Sequence, residues 1–363
     1  MLVAARLIQA IGGALLTPAS LSLVLPEFPV EKRSAAIGIW GAVGGIAAAV
    51  GPTVGGILVD TLSWHWVFGI NIPIGLLAVG LAIKHLSETP KQVTGSPDVI
   101  GALLSMGGVG LVVLAIVEGE RWGWTTIGTA GSFLGGLAFA AAFVLWCRTK
   151  KDAVLDLSLT KLRFFAAGNL ASMVFSIGFF AMFFVNIQFL QNVWSYSAVK
   201  AGLGVSPGPI MAAAFAFPAG KWAERHGHRT VVTIGCVVFA VGILLNLAFL
   251  DGDPSYLFPY LPGMMITGIG VGLTISTLGS SSNAFLPPVR MAMGSAVNTT
   301  VRQIGAALGI AIASALLSAG AKVDTMTGYR RSWTMITGVA LLAAAVMAVL
   351  YRKPTDAQRT AAG

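Results

Sequence analysis

Six polar side chains interrupt long apolar stretches of this sequence, and their chemistry suits the movement of a solute or an ion. They are two arginines and four amides: Arg6, Gln9, Gln188, Gln191, Asn298 and Arg302. A charged or amide group inside a membrane span is costly, so it normally faces a cavity or pairs with another polar group. We therefore predict that these six residues contact a substrate or couple its movement to an ion.

The two arginines lie at different depths in their predicted helices. Arg6, Gln9 and Gly13 share one helical face near the first residue of the sequence. Arg6 could therefore face a cavity, or its long side chain could reach water at the helix end. Arg302 lies ten residues inside a span predicted to begin near residue 292, deeper than such a side chain usually reaches. Its position favours a functional role or a place in a hydrogen-bonded network.

The segment that carries Gln188 and Gln191 is rich in phenylalanine. Five rings precede the two amides within one predicted span: Phe175, Phe179, Phe180, Phe183 and Phe184. Aromatic rings with a few amides suit an apolar substrate, although each ring could instead pack against lipid or a neighbouring helix. The amides are the stronger candidates, because an amide deep in a membrane needs a hydrogen-bond partner.

Acidic residues avoid the middle of the predicted spans. All fourteen Asp and Glu residues fall in loops or near predicted helix ends. A proton antiporter normally needs an intramembrane carboxylate to load and release its proton, so these residues do not themselves supply proton coupling. The sequence also lacks the G-x-S-x-G, P-loop and H-E-x-x-H patterns of common enzymes. We expect no catalytic activity, no cofactor and no metal site, with Cys147 and Cys236 as free buried thiols.

The composition indicates that the elements positioning these residues are membrane helices. Of 363 residues, 56% are hydrophobic and only 10% are charged, and the mean hydropathy is +0.82. A soluble domain normally carries about 25% charged residues, and it could not cover so much apolar surface. Apolar stretches of about 20 residues, the length that crosses a bilayer, predict an all-α protein with eleven spans. These lie near residues 1–25, 34–59, 66–86, 99–117, 127–147, 165–190, 201–218, 230–250, 256–280, 292–319 and 333–351.

Lysine and arginine residues predict how these spans are oriented. The formal net charge is +9, but the charges lie in short gaps between apolar stretches and form no basic patch for nucleic acid. One set of alternate loops holds sixteen Lys and Arg residues and the other holds five. The richer set is expected in the cytoplasm, together with the C-terminus. Eleven spans then place residue 1 outside, which suggests that further helices precede it.

Small residues form one stripe that would let a neighbouring backbone approach closely. The stripe has spacings of 4, 3 and 4 residues and consists of Gly44, Ala48, Gly51 and Gly55. Pro52 adds a bend, and Gly56 completes a GP-x-x-GG pattern. If the stripe is a close helix contact, leucine in place of Gly55 should abolish transport; plain helix packing is the alternative. One helical face of a later span has the same spacing and carries Asn298, Arg302, Gly305 and Gly309.

A short charged segment at residues 220–229 lies on the predicted cytoplasmic side. Its glycines predict a tight turn, and its candidate gate residues are Gly220, Glu224, Arg225, Gly227 and Arg229. Glu224 and Arg225 could lock neighbouring helix ends by charge, or the segment could serve only as a basic anchor. We expect His226 and His228 to be solvated, because no Cys or acidic cluster accompanies them as further metal ligands.

These motifs resemble the fourteen-helix drug:proton antiporter branch of the major facilitator superfamily. Residues 6–14 are similar to its fourth-helix Arg-Gln-Gly motif, and residues 41–56 are similar to its fifth-helix GP-x-x-GG motif. Residues 220–229 resemble its G-x-x-x-[DE]-R-x-G-x-R loop, and residues 64–75 and 298–309 also fit. The resemblance covers nearly the whole chain and places residue 1 inside the family's fourth helix. Helices one to three are therefore expected to be missing.

The resemblance implies a major facilitator fold in three parts. Residues 1–86 would be the remaining three helices of the N-terminal half, residues 87–163 a central two-helix insertion, and residues 164–363 the C-terminal six-helix half with a cytoplasmic tail. It also implies proton-driven export of small hydrophobic or amphipathic compounds through the cell membrane, with lipid, substrate and protons as partners. A truncated remnant, or a subunit that needs a partner for the missing helices, remains the alternative. A nutrient importer of the same fold is disfavoured by the GP-x-x-GG helix.

Overall fold

The computed structural model describes residues 2–24, 33–85, 98–150, 155, 157–286 and 288–352. Over these ranges the regular structure is helical and contains no β-strand, which confirms the all-α prediction. A π-helical turn, Tyr256–Tyr260, directly precedes α12. The α-helices are α1 (Leu2–Val24), α2 (Arg33–Thr61), α3 (Trp66–Gly69), α4 (Asn71–His85), α5 (Val99–Trp122), α6 (Ile127–Thr149), α7 (Leu157–Thr160), α8 (Arg163–Asn192), α9 (Ala198–Val205), α10 (Pro207–His226), α11 (His228–Phe249), α12 (Leu261–Asn283), α13 (Pro288–Ala321) and α14 (Thr325–Leu350).

The predicted spans coincide with these helices. Among the described residues, nine segments are long and apolar enough to cross a membrane, and they match the last nine predicted spans. Helices α1 and α2, with 23 and 29 residues, match the first two. The span predicted near 201–218 differs most, because it consists of α9 and α10 and continues to His226. The two helices separate at Ser206, since Pro207 fits a first helical turn but cannot continue α9.

The turn predicted for residues 220–229 is wrong over most of that segment. Residues 220–226 are the last turns of α10, and α11 already begins at His228. Lys, Ala, Glu and Arg all favour helix, so Gly220 is carried inside α10. The turn is confined to Gly227, whose φ of +85° is a conformation that glycine adopts readily.

The acidic residues lie where the sequence predicts them, as far as the structure describes them. Asp98 accepts a hydrogen bond from Gly101 N at 3.0 Å and caps α5, and Asp324 accepts one from Met326 N at 3.1 Å and caps α14. The described acids all lie between helices or near helix ends: Asp60, Asp98, Glu118, Glu120, Glu224, Asp251, Asp253 and Asp324. Glu27, Glu31, Glu88, Asp152, Asp156 and Asp356 lie outside the described residues.

The best-packed part of the molecule joins α8 with α11, α12, α13 and α14. Glycines let α12 lie between two neighbours: a Cβ atom at Gly268 would overlap the backbone of Gly208 in α10, and one at Gly270 would overlap that of Phe239 in α11. Trp333 of α14 is fully buried in the same core. These backbone contacts set the positions of the helices that carry the candidate residues of the C-terminal part.

The other helices are more peripheral. Helix α2 packs on α9 and α10, whereas the described side chains of α1 and α4 are mostly exposed. Helices α5 and α6 form a hairpin in which Gly108 and Gly136 bring the two backbones together, and α5 also packs on α13. Cys147 of α6 and Cys236 of α11 are free and buried, as predicted.

Candidate functional site

Asn298 lies in a buried hydrogen-bonded network between α8 and α13. Its amide nitrogen donates to Asn169 Oδ1 at 3.1 Å and to Ser172 Oγ at 2.9 Å. Asn169 in turn donates to the carbonyl oxygen of Phe165 at 2.9 Å. Asn298 is only 4% exposed, so its amide N–H groups are used to join two helices. A contact with substrate stays a prediction for this residue.

The face of α13 that carries Asn298 also brings two backbones together. A Cβ atom at Gly305 would overlap the carbonyl oxygen of Met173, and one at Gly309 would overlap that of Ile177. The glycines therefore hold α13 directly against α8 over two turns beyond Asn298. Together with the buried hydrogen bonds of Asn298, these contacts hold α13 against α8.

Arg302 lies between these fixed points and is half-buried. Within the described ranges, its guanidinium takes part in none of the hydrogen bonds or ion pairs. A guanidinium in the middle of a span costs about 3 kcal/mol on insertion scales, so an anionic or strongly accepting partner would stabilise it. Arg302 is therefore a cation inside a span of the C-terminal part, and its role in function or in a network stays a prediction.

Helices α12 and α13 present exposed polar side chains that sequence reasoning missed. We call this surface the polar wall, and it consists of Ser276, Ser280, Asn283, Ser295, Thr299 and Gln303. Asn283 is its half-buried member, and its Nδ2 donates to Ser295 Oγ at 3.1 Å, which links the two helices. The spacing of these polar residues could have revealed the wall: they are 4 and 3 positions apart on α12 and 4 and 4 positions apart on α13, so each set shares one helical face. Exposed hydroxyl and amide groups in a span favour a wet or solute-binding face over lipid.

Gln188 and Gln191 lie far from this wall, near the opposite end of α8. Gln188 is sixteen residues from Ser172, which corresponds to about 24 Å along a helix. Both glutamines are half-buried, and the carbonyl oxygen of Gln188 accepts a hydrogen bond from the Tyr329 hydroxyl at 3.1 Å. The structure therefore does not bring the predicted amides into one site.

Asn186 is the buried amide of this region of α8. Its Oδ1 accepts a hydrogen bond from the Trp333 indole at 3.2 Å, and its Nδ2 donates to the sulfur of Met264 at 3.1 Å. Asn186 is fully buried and so connects α8, α12 and α14. An amide deep in an apolar segment signals such a junction, but the sequence alone does not identify its partners.

The phenylalanines of α8 divide into a core ring and partly exposed rings. Phe175 is 1% exposed and packs edge to face on Phe239, with ring centroids 5.1 Å apart. Its role is therefore packing, the alternative named for each ring. Phe179 and Phe180 are half-buried, with centroids 5.0 Å apart. A contact with an apolar compound stays a prediction for these outer rings.

Arg6 and Gln9 form a separate contact near the start of α1. Arg6 Nη1 donates to Gln9 Oε1 at 2.9 Å, and both side chains are exposed. The guanidinium also lies over the Phe68 ring of α3, 4.3 Å from its centroid, a cation–π contact. The sequence did not indicate Phe68, because sixty-two positions separate the two residues. A coupling role for Arg6 and Gln9 stays a prediction.

The GP-x-x-GG motif makes its close contact on a neighbouring face of α2. Among the described residues, nothing approaches within 4 Å of a Cβ atom placed at Gly44, Gly51 or Gly55. A Cβ atom at Gly56 instead meets the backbone of Ala198, and one at Gly202 meets the carbonyl of Pro52. The described contact between α2 and α9 therefore differs from the predicted stripe.

Polar groups extend this contact toward both helix ends. The hydroxyls of Thr53 and Ser206 are 3.3 Å apart, and Asp60 Oδ2 accepts from Val199 N at 3.2 Å. Asp60 thereby binds a backbone N–H in the first turn of α9, where helix N–H groups lack partners inside the helix. The interface combines small residues with a carboxylate.

The candidate gate residues are exposed at the junction of α10 and α11. Within the residues that the structure describes, Glu224 and Arg225 enter none of the ion pairs. Arg229 helps to line a cavity with His228 and Arg352. A charge lock at this junction stays a prediction.

Comparisons with known proteins agree with these features. A family model described as "Major Facilitator Superfamily" matches residues 1–213 and 168–363. Multidrug resistance protein Stp of Mycobacterium tuberculosis is 31% identical over 320 residues, covering 88% of this chain and 59% of its own length. Riboflavin transporter RibZ of Clostridioides difficile is 32% identical over 323 residues, covering 87% of this chain and 68% of its own length.

The fold is also similar to that of a solved transporter. The crystal structure of an auto-inhibited POT family peptide transporter superposes with a TM-score of 0.61 at 16% identity, covering 94% of this chain and 76% of that chain. This likeness concerns the fold alone. The chain spans about 59% of the length of the first curated relative that it matches.

Proposed function

The chain belongs to the Major Facilitator Superfamily, and we propose that it exports small hydrophobic or amphipathic compounds across the cell membrane in exchange for protons. The observation that carries the proposal is the similarity to a multidrug resistance protein over 88% of this chain. In this proposal residues 1–86 and 164–363 belong to two halves that rock against each other, with residues 87–163 between them.

Two features of the geometry support movement of a solute. The contact of α2 with α9 rests on Pro52, Gly56 and Gly202, whose small surfaces let two helices meet without interlocking side chains. The polar wall and Arg302 offer hydrogen bonds inside a span, where a solute that leaves water needs them.

Proton exchange is proposed from the family resemblance. The described carboxylates lie near helix ends, and Asp60 is the one at the contact between α2 and α9. A proton on Asp60 would neutralise the carboxylate that accepts from Val199 N, which would weaken this contact. Asp60 is therefore the described carboxylate best placed to link protonation to movement of α2.

Export can be tested by dye efflux from bacteria that lack their own exporters, with the protein expressed from its native reading frame. Cells that express it should lose dye faster than cells with an empty vector, and an uncoupler should remove the difference. Equal rates in the two strains would argue against export. Efflux that persists with the uncoupler would contradict proton exchange but not export.

The proposed orientation places the junction of α10 and α11 in the cytoplasm. In intact cells, Lys221→Cys should resist a membrane-impermeant maleimide, and Lys322→Cys should react with it. Both native cysteines are buried, so background labelling should be low. The opposite labelling pattern would reverse the orientation.

A second candidate function follows from the relative named a riboflavin transporter. In that case the aromatic rings of α8 would stack on a flat heterocycle. Uptake or efflux of radiolabelled riboflavin, compared with dye efflux in the same cells, separates the candidates. Riboflavin movement without dye movement would favour the second.

A further inference from the structure

Arg302 is held in position by the helix that carries it. It lies fourteen residues after Pro288, the first residue of α13, which corresponds to about 21 Å along the helix axis. Asn298 anchors α13 to α8 one turn before it, and Gly305 and Gly309 bring the backbones together after it. The guanidinium therefore extends from a part of the span whose backbone has little freedom.

The described carboxylates do not lie beside this guanidinium, because they are near helix ends. Three of them already have cationic partners: Asp98 is paired with Lys150, Glu118 with Arg121, and Glu120 with Lys322. Arg302 carries five N–H donors and a permanent charge. In a span such a group is stabilised by an anionic or strongly accepting partner, and a bound compound can supply one.

A polar group adjoins Arg302, and aromatic rings lie further along the span. Thr299 of the polar wall precedes Arg302 by three positions on α13, where side chains are neighbours, and it is exposed. On α8, Ile177 meets Gly309, and half-buried Phe180 follows Ile177 by three residues, so Phe180 lies about 15 Å along the helix axis from the level of Arg302. A fixed guanidinium beside a hydroxyl, with aromatic rings further along, suits a molecule that carries an anion at one end of an apolar ring system.

We propose that Arg302 binds an anionic group of the transported compound, and that the preferred substrates are amphipathic organic acids. This inference rests on the proposed export function and names its substrate class. The planar guanidinium donates two parallel N–H groups to a carboxylate, while the ring system packs on the outer phenylalanines of α8. A compound without the anion would leave the guanidinium unpaired and would be exported more slowly.

The test compares two dyes that differ only at the anion: a rhodamine with a free carboxylate and its ethyl ester. Efflux of both is measured in cells that express the parent protein, Arg302→Gln, Arg302→Lys or Arg331→Gln. Arg302→Gln should slow carboxylate efflux by about tenfold, the loss expected for a charge-assisted hydrogen bond. Ester efflux should change by less than about twofold.

The other variants show whether charge and geometry matter at this position. Arg302→Lys keeps the charge but loses the planar fork, so it should recover part of the carboxylate efflux. Arg331→Gln, at an exposed arginine of α14, should leave both rates unchanged. Fluorescence anisotropy measures binding of the carboxylate dye to purified protein. Arg302→Gln should bind this dye more weakly than the parent protein does, as its slower efflux predicts.

The outcomes separate this inference from the proposed function. Anion recognition would be contradicted if the parent protein exported the ester but not the carboxylate dye. It would also be contradicted if well-expressed Arg302→Gln slowed the efflux of both dyes equally. Either result would leave the proposed export function intact. If Arg302→Gln fails to fold, Arg302→Lys serves as the test. Anion recognition would be contradicted if Arg302→Lys had the same dye preference and the same affinity for the carboxylate dye as the parent protein. If the parent protein exported neither dye and did not bind the carboxylate dye, both the anion recognition and the proposed export function would be contradicted.

Discussion

Helices α2 and α13 carry residues at the same 4, 3 and 4 spacing, but they use it differently. In α13, Gly305 and Gly309 lie directly against carbonyl groups of α8. In α2, a Cβ atom at residue 51 or 55 would meet no described atom within 4 Å, and the close contact falls on Gly56. A small-residue stripe thus predicts that a face can be approached, but not which face is approached.

The difference has a physical cause in what each helix meets. Helix α13 runs beside another long helix, so regularly spaced residues meet it turn after turn. Helix α2 meets the eight-residue helix α9, with Gly56 at Ala198 and Pro52 at Gly202. The first turn of α9 also offers free N–H groups, and Asp60 binds one of them. A contact this short depends on few positions, and one residue of offset turns the face by about 100°.

The strongest test of the α13 contact is Gly309→Leu. Its side chain would overlap the backbone of Ile177, so we expect a loss of about 3 kcal/mol of stability by overpacking. Thermal unfolding of the protein in detergent measures it. Gly338→Leu, on an exposed face of α14 with no neighbour within 4 Å, is the matched control. Equal melting temperatures for the two variants would mean that α13 is not held by this contact.

The corresponding test of α2 compares two adjacent glycines. Gly56→Leu should abolish transport, because its side chain would push α2 away from Ala198. Gly55→Leu should retain most of the activity, contrary to the expectation from the stripe alone. Dye efflux at matched membrane levels measures both. Loss of activity in Gly55→Leu but not in Gly56→Leu would restore the predicted stripe as the working interface.

A smaller effect is expected at the polar anchor of α13. Asn298→Ala would leave Asn169 Oδ1 and Ser172 Oγ without their donor in a buried place, which costs about 1 to 3 kcal/mol. Thr300→Ala is the control, since that hydroxyl is exposed and bonds within its own helix. Equal melting temperatures for the two variants would show that the amide network does not stabilise the α8–α13 pair.

The smallest effect should come from the ion pair at the other end of α13. Lys322 and Glu120 join α13 to α5, but the lysine side chain is 67% exposed and solvent screens such pairs. Lys322→Gln should therefore leave the melting temperature within error, in low and in high salt. A clear loss in low salt would mean that charge, and not only backbone contact, holds α13 in place.

The sequence was sufficient for the helices and insufficient for their partners. Apolar stretches of the right length gave the spans, because that length is set by the bilayer. The partners of Asn298 lie 126 and 129 positions away, and no local pattern encodes them. The polar wall could have been found from helical spacing, whereas the contact of Arg6 with Phe68 required the fold.

Proton-coupled export is tested most directly with purified protein in liposomes. The protein is expressed from its native reading frame, and the liposomes are loaded at acidic pH and diluted into neutral buffer that contains dye. In molecules that face inside out, we predict that dye accumulates while the internal pH rises, and that both changes stop when an ionophore removes the pH gradient. Dye accumulation at the same rate without a gradient, or a stable internal pH during accumulation, would contradict proton exchange.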